Sequence, residues 1–422
     1  MKPRILVVAL LAVGLICGVG VFAQTQDQQQ KTTITVAVYP DLDSVVKAVL
    51  PAFNALYPNI EVKLDVNGYG DHHTKLLTEL AAGKGVPDVA AIEIGYIAKF
   101  AAQGGLVDLS KPPYNGEAYK DLYVSYAWKQ AHTQDGRLIG MPLDIAPATM
   151  FWRRDVFAAH GVSINDIKTW EDYINVGKKL TYDADGDGKI DHWLVDNAGD
   201  VAMVLWGGHT HFFDADGNCI VTNDRFVKAF TIAKKIRDAG LDANVGAWTN
   251  EWYNLFKQGT IATAINGAWL MGHLKNWMAP KTAGKWGAAQ LPEGMYTQRG
   301  GSWYTIPQAS THKDAAWKFV KFMTTNPVVQ LRAFDVTNAF PAVKAVWDDP
   351  VFAEPIPFLN GQKARLLWKE AISHITGVPT NPNDALAFEI VSDELSQVLN
   401  EGKSIKDALA EAKQMIERRT QK

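Results

Sequence analysis

Cysteine is almost missing from this chain. Its 422 residues include two, Cys17 and Cys219, and Cys17 lies in an N-terminal segment expected to be removed. The mature chain therefore has no internal disulfide, and its stability must come from a core. An excess of either charge is also missing. The 42 Lys and Arg stand against 45 Asp and Glu, for a net charge of −3. With no basic block, nucleic acid is excluded as the main partner. There is no internal repeat, no long linker and, after the N-terminus, no second long apolar run. A hydrophobic content of 47% and a charged content of 21% exclude a disordered chain.

The one long apolar run is "ILVVALLAVGLICGVGVF" at 5–22, preceded by Lys2 and Arg4 and followed by Ala23. That order reads as a secretory signal over residues 1–23, with the mature chain starting near Gln24 in the periplasm. The alternative for the same run is a membrane anchor. Leu15-Ile16 precede Cys17 where a lipid-attachment signal has small residues, so lipidation is not expected.

The mature chain alternates strands and helices. "TITVAVY" (33–39) and "IEVKLDV" (60–66) have β-branched, alternating patterns, and "PDVAAI" (87–92) reads as a short buried strand. Between them lie a helix with apolar residues at Val45, Val46, Val49, Leu50, Phe53 and Leu56, expected to kink or restart at Pro51, and "KLLTELAAG", closed by Gly83. "YIAKFAAQGG" is a further helix. Phe226, Val227, Phe230 and Ile236 form an expected buried face. Capping boxes are expected from Thr169 to Asp172 and from Ser404 to Asp407. The fold class is α/β, each lobe a mixed sheet flanked by helices. About 400 residues without a linker suggest two lobes crossed more than once.

Several stretches, in order, resemble the extracellular solute-binding proteins of ABC importers, in the sugar-binding branch that includes maltose-binding protein. They are "PDVAAIEIGYIAKFAAQGGLVDLS" (87–110), "DGRLIGMPLDIAPATMFWRRDVF" (135–157), "KTWEDYINVGKKLT", "FKQGTIATAINGAW" (256–269), "WGAAQLPEG" and "RGGSWYTIPQASTHKDAAWKFVKFM". "FWRRD" departs from the family's usual Asn-Lys before the aspartate, and 340–400 matches loosely. The resemblance implies a periplasmic binding-protein fold with a multi-strand hinge. The first lobe would be 32–143 with 300–334, the second 144–299 with 335–422. It implies a monomeric component, not an enzyme, that closes on a sugar or small oligosaccharide and delivers it to membrane permease subunits. The alternatives are a non-sugar solute such as a polyol, phosphate ester or peptide, or a secreted glycosidase.

All 14 tryptophans lie in the mature chain. Each could be core filler. Three sit beside glycines, which could let a ring stand clear and stack on a sugar: Trp269 after Asn266-Gly267, Trp303 after Gly300-Gly301, and Trp206 before Gly207-Gly208. Gly301 is included as a backbone contact. Sugar hydroxyls need acceptors and donors in a closed cleft. Candidates at strand ends are Tyr39, Asp41, Tyr69 with Asp71, Glu93 and Asp144. The resemblance places Glu93 and Asp144 on loops facing the cleft, and the plain alternative is a solvated loop acid. His72-His73 and His209/His211 are expected to be surface pairs without a metal.

"DADGDGKID" (183–191) matches a calcium loop. Asp183, Asp185, Asp187 and Asp191 fill ligand positions 1, 3, 5 and 9, Lys189 offers a carbonyl at 7, and Gly188 makes the turn. Position 12 is Leu194, so the closing carboxylate would have to come from Asp196 or a remote acid. The expectation is a structural Ca2+ at most, with no cofactor for function. The alternative is a polar turn. "DADGN" (214–218) reads as a hairpin turn.

Overall fold

The computed structural model describes residues 31–420, so the expected signal segment and Cys17 lie outside the described residues. In chain order the elements are β1 (Thr32–Val38), α1 (Leu42–Leu56), β2 (Ile60–Val66), α2 (Tyr69–Ala82), β3 (Val89–Glu93), α3 (Ile94–Gln103), α4 (Ser125–Gln130), β4 (Met141–Arg153), α5 (Arg154–Ala159), α6 (Trp170–Leu180), α7 (Ala198–Trp206), α8 (Asp224–Asp238), α9 (Asn250–Gln258), β5 (Thr263–Gly267), α10 (Leu270–His273), β6 (Trp286–Ala289), β7 (Gln298–Thr305), α11 (Lys313–Thr325), α12 (Pro327–Thr337), β8 (Phe340–Pro341), α13 (Ala364–His374), α14 (Asp384–Asn400) and α15 (Ile405–Thr420).

The strands run in the order β2-β1-β3-β7-β4-β5, and β6 and β8 also pair with β4. β1 is parallel to β2 and β3, and the remaining pairs are antiparallel. The long β4 is the joint of the molecule. Its first half, 141–147, pairs with β7, and its second half, 148–153, pairs with β5 and β6. β4 and β7 thus pass from one half of the fold to the other. The β4–β7 register shifts on both sides of Asp144-Ile145, and such an irregularity re-aims side chains at a functional edge.

Two buried apolar clusters fill the fold. One gathers β1–β3 and their helices with β7, α11 and α12, and continues through 252–288 and 340–372. The other gathers 148–241 with α14 and α15. Among the described residues no helix is long and apolar enough to cross a membrane.

Local expectations meet the structure unevenly. α1 does not restart at Pro51, because Pro51 and Lys47, a turn earlier, both face solvent. A carbonyl freed there can be hydrated. Gly83 closes α2 in the left-handed conformation at φ 62°. The Thr169–Asp172 capping box forms, whereas at Ser404 the hydroxyl accepts the Asp407 N–H but itself donates to Asp407 Oδ2, so that box is half made; 214–218 turns between Phe213 and Cys219. Val227 does not join the buried face of α8: it is exposed, while Ala229 and Ala233 lie inside with Phe226 and Phe230. Large apolar residues are not the whole of a helix's inner stripe.

Candidate functional site

At the carboxyl ends of β1 and β3, where such sheets place their ligands, a chain of hydroxyls and carboxylates is built. Tyr39 follows β1, and its hydroxyl donates to Ser302 Oγ at 2.7 Å. Ser302 Oγ donates in turn to Asp144 Oδ1 at 3.1 Å. Tyr69 opens α2 and donates to Glu93 Oε2 at 2.7 Å. Glu93 ends β3 and caps α3, so the same oxygen accepts the Gly95 N–H at 2.6 Å. The Glu93 backbone N–H donates to His73 Nε2 at 3.2 Å.

Electrostatics follow from burial. Asp144 is pushed up from 3.8 to about 7 by burial, which outweighs the Ser302 hydrogen bond and adds to repulsion from Glu93. Glu93 is raised by burial against the opposing hydrogen bonds from Tyr69 and Gly95. Both are half-buried carboxylates with no ion pair among the described residues, and removing such a group from water is costly. Two more hydroxyls, of Tyr126 and Tyr304, are buried without a partner, and each feels Asp144.

The facing wall is aromatic. Trp269, at the end of β5, stacks on Trp248 with ring centres 5.3 Å apart. Trp248 also lies against Tyr69, Trp252 and His273. Trp252 Nε1 donates to Asp196 Oδ2 at 2.6 Å. His273 pairs with Asp41 at 2.8 Å. This pair, the Tyr69–Trp248 stack and the Lys99–Glu389 pair at 2.5 Å join elements that follow β1–β3 to elements that follow β4. The polar and aromatic walls are therefore in contact.

Where the walls meet lies a polar knot. Arg299 pairs with Asp200 at 2.8 Å. His209 approaches Gly95 so closely that a Cβ there would sit 3.1 Å from its Cε1. His209 Nδ1, Arg299 Nε and both side-chain polar atoms of Gln298 are buried without a protein partner. Burial and the Arg299 charge hold His209 down to about 3, so its imidazole is neutral. Unpaired buried donors and acceptors are costly, and two of these side chains, His209 and Arg299, stand near Glu93.

Several expectations need correction. Trp303 is buried, its Nε1 donating to Ala127 O at 3.3 Å. β7 alternates faces, so with Ser302 toward Asp144, Trp303 points into the core. Trp206 is also core, stacked on Phe226 and bonded to Gly208 O. Gly207 is left-handed at φ 106° and caps α7; the glycine pair stops a helix there. Trp269 is half-buried, and its ring does not stand clear. Its Nε1 donates to Arg299 O at 2.8 Å. A Cβ on Gly267 or Gly300 would come within 2.4 or 2.9 Å of that nitrogen, so these glycines make room for the ring. Gly301, at φ 133°, pairs with Ile145 beneath Asp144. Asp71 is exposed. His72 and His73 are no surface pair: both are buried in α2, and burial with the neighbouring His72 pushes His73 to about 3.

Sequence reasoning missed Ser302, Trp248, His273, Arg299 and Gln298. Period-two alternation in "GGSWYT" would have found Ser302 by excluding Trp303. No local signal marks Trp248.

In the acidic loop, carboxylate oxygens of Asp183, Asp185 and Asp187 come within 4.8 Å of one another. Asp191 is turned to other partners, accepting the Ala184 N–H at 3.0 Å and facing His192 at 2.7 Å. The Lys189 ammonium is 3.8 Å from Asp187. Asp196 cannot close the loop, because it is buried under Trp252.

Known proteins similar to this chain are binding proteins. The arabinooligosaccharide-binding protein of Bacillus subtilis (strain 168) is 28% identical over 313 residues, 72% of this chain and 71% of its own. The lactose-binding protein of Rhizobium radiobacter is 24% identical over 412 residues, 92% of this chain and 89% of its own. Among solved structures, the ABC transporter associated binding protein of B. animalis subsp. lactis Bl-04, in complex with beta-1,6-galactobiose, superposes with a TM-score of 0.76 at 25% identity, covering 92% of this chain and 97% of that one. Maltose-bound MalE3 of T. maritima gives 0.73 at 22% identity, covering 91% and 99%, and shares the two-lobed fold. These relatives are binding proteins by name. With residues 38–330 matching the family described as bacterial extracellular solute-binding protein, the chain belongs to that family.

Proposed function

We propose that the protein is the substrate-binding component of an ABC importer, capturing a sugar or small oligosaccharide and presenting it to the permease subunits. The observation that carries this reading is the opposition of two walls. Asp144, Glu93, Ser302 and the tyrosine hydroxyls offer acceptors and donors to hydroxyl groups, while Trp269 and Trp248 offer flat apolar faces to a ring's C–H side. The names of the relatives support the same ligand class. Residues 1–23 act as a cleaved export signal, and the mature monomer works in the periplasm. Lobes of 32–143 with 300–334 and of 144–299 with 335–422 rock about β4, β7 and β8, and the ligand stabilises the closed arrangement. No step of this function requires catalysis. A Ca2+ held by Asp183, Asp185 and Asp187 would fasten the second lobe from outside the cleft.

A thermal-shift screen of the mature protein tests the reading, because a ligand bound only by the folded state raises its melting temperature. Arabinotriose, lactose, beta-1,6-galactobiose and maltotriose form the panel, with polyols, a sugar phosphate and a tripeptide beside them. A shift with at least one saccharide and none with the non-sugars is expected. A shift with the tripeptide alone, or steady hydrolysis of a bound saccharide, would overturn it.

A further inference from the structure

The loop 207–211, which follows α7, is built to hold one side chain still. Three of its five residues have left-handed backbones: Gly207 at φ 106°, Gly208 at 79° and His211 at 73°. For a residue other than glycine that conformation is uncommon and persists where the surroundings enforce it. The loop is anchored at both ends. The Gly208 N–H donates to Met203 O at 2.9 Å, and Gly208 O accepts the Trp206 Nε1–H at 2.8 Å. At the other end His211 O accepts from Arg225 at 2.6 Å, and the Thr210 hydroxyl bonds His211 Nδ1 at 2.7 Å. His209 stands between these anchors. Expected at the surface, it is half-buried, and its Nδ1 is buried without a protein partner. The ring reaches across to the other half of the fold. The point where a Cβ on Gly95 would stand lies 3.1 Å from His209 Cε1, 3.3 Å from its Nε2 and 3.0 Å from Glu93 Oε2. Imidazole and carboxylate therefore flank one glycine, which has no side chain to part them.

We propose that His209 is a specificity-determining residue: its Nδ1 hydrogen-bonds a ligand hydroxyl beside the one that Glu93 receives, so that a saccharide lacking a hydroxyl there is rejected. This rests on the sugar-binding reading above. A neutral imidazole has one donor and one acceptor nitrogen, and His209 is held neutral. A hydroxyl both donates and accepts, so it serves Nδ1 in either tautomer. A hydrogen at the same carbon serves neither, and leaves the buried nitrogen unpaired.

The other role for His209 is structural, because its ring packs on Phe388 with centres 4.4 Å apart. For packing alone a phenyl ring would serve, with no polar atom to satisfy. Titration calorimetry and melting curves separate the two roles, with arabinotriose, lactose, beta-1,6-galactobiose and maltotriose as probes. His209→Phe keeps a ring on Phe388 and removes both nitrogens. His209→Asn sets an amide where Nδ1 stands. With the tightest binder of the four, His209→Phe should lose about tenfold or more in affinity, while its unliganded melting temperature holds or rises. His209→Asn should retain most of the affinity. Among the monodeoxy analogues of that saccharide, one should bind the wild type as weakly as the parent binds His209→Phe, and should lose nothing further in the variant. Where a variant folds poorly, the wild type answers alone: in protein carrying isotope-labelled histidine, the His209 Nδ1 resonance should move on saturation with the same saccharide. Undiminished affinity in His209→Phe, equal losses in His209→Phe and His209→Asn, or a resonance that stays in place would overturn the role of His209 and leave the sugar-binding reading intact. Absence of binding by all four saccharides to the wild type would overturn both.

Discussion

The polar wall of the cleft is held by directed bonds: Tyr39 to Ser302 to Asp144, Tyr69 to Glu93, and Glu93 to the N–H of Gly95. The aromatic wall has few such bonds. Trp248 keeps its place by ring contacts, and Trp269 by one bond to Arg299 O and by the room left at Gly267 and Gly300. The first wall is pre-organised and cannot adjust without leaving buried polar groups unpaired, so it should decide which hydroxyl pattern fits. The second is tolerant, because any sugar's C–H face can lie on a ring, and should set how tightly and how long a ligand binds. A third set of residues, including Trp206 and Trp303, resembles the aromatic wall in composition but belongs to the core.

The largest expected effect separates core from wall. Trp303→Ala should cost about 3–5 kcal/mol of stability, read by urea denaturation, with affinity in the folded fraction nearly unchanged. Next comes the polar wall. Asp144→Asn removes a charged acceptor, worth about 1.5–3 kcal/mol per hydrogen bond, or roughly ten- to hundredfold in affinity by calorimetry. Trp269→Ala should lose about 2 kcal/mol from roughly 80 Å² of lost stacking, some thirtyfold in affinity. Its melting temperature should move by a few degrees, in contrast to Trp303→Ala. A collapse of stability in Trp269→Ala without loss of affinity would dissolve the distinction.

A smaller effect concerns pH. Asp144 titrates at about 7 in the folded protein against an ordinary 3.8. A folded-state pKa above the unfolded one means that the group's contribution to stability is complete below about pH 4 and is lost as the pH rises toward 7. Asp196 and Asp384, both raised to about 7 mainly by burial, act in the same direction. Melting temperatures should therefore fall between about pH 4 and 7, and Asp144→Asn should flatten part of that slope. The smallest effect lies outside the cleft. Chelation, or Asp185→Ala, should lower the melting temperature by a few degrees and leave affinity in place. Loss of binding by a folded Asp185→Ala protein would move the working site to the acidic loop.

The strand and helix order was legible because alternation and helical spacing are local. The placement of Tyr39, Tyr69 and Glu93 near strand ends was legible for the same reason. The tryptophans were not. A glycine pair looks the same in sequence whether it caps α7 at Gly207, clears space for Trp269 or lines β7 before Ser302; only the partner across the fold decides. Trp248 was invisible because its neighbours, Tyr69 and Trp269, are remote in the chain and are brought together by the approach of the two halves.

The most direct test is a double-mutant calorimetric cycle on the tightest saccharide of the panel, using Asp144→Asn, Trp269→Ala and the double variant at pH 8. If both walls hold one ligand in one cleft, each single variant weakens binding at least tenfold, one-to-one stoichiometry is kept, and unliganded melting temperatures stay within a few degrees. Unchanged affinity in both single variants, with the saccharide still bound, would place the ligand elsewhere and contradict the account.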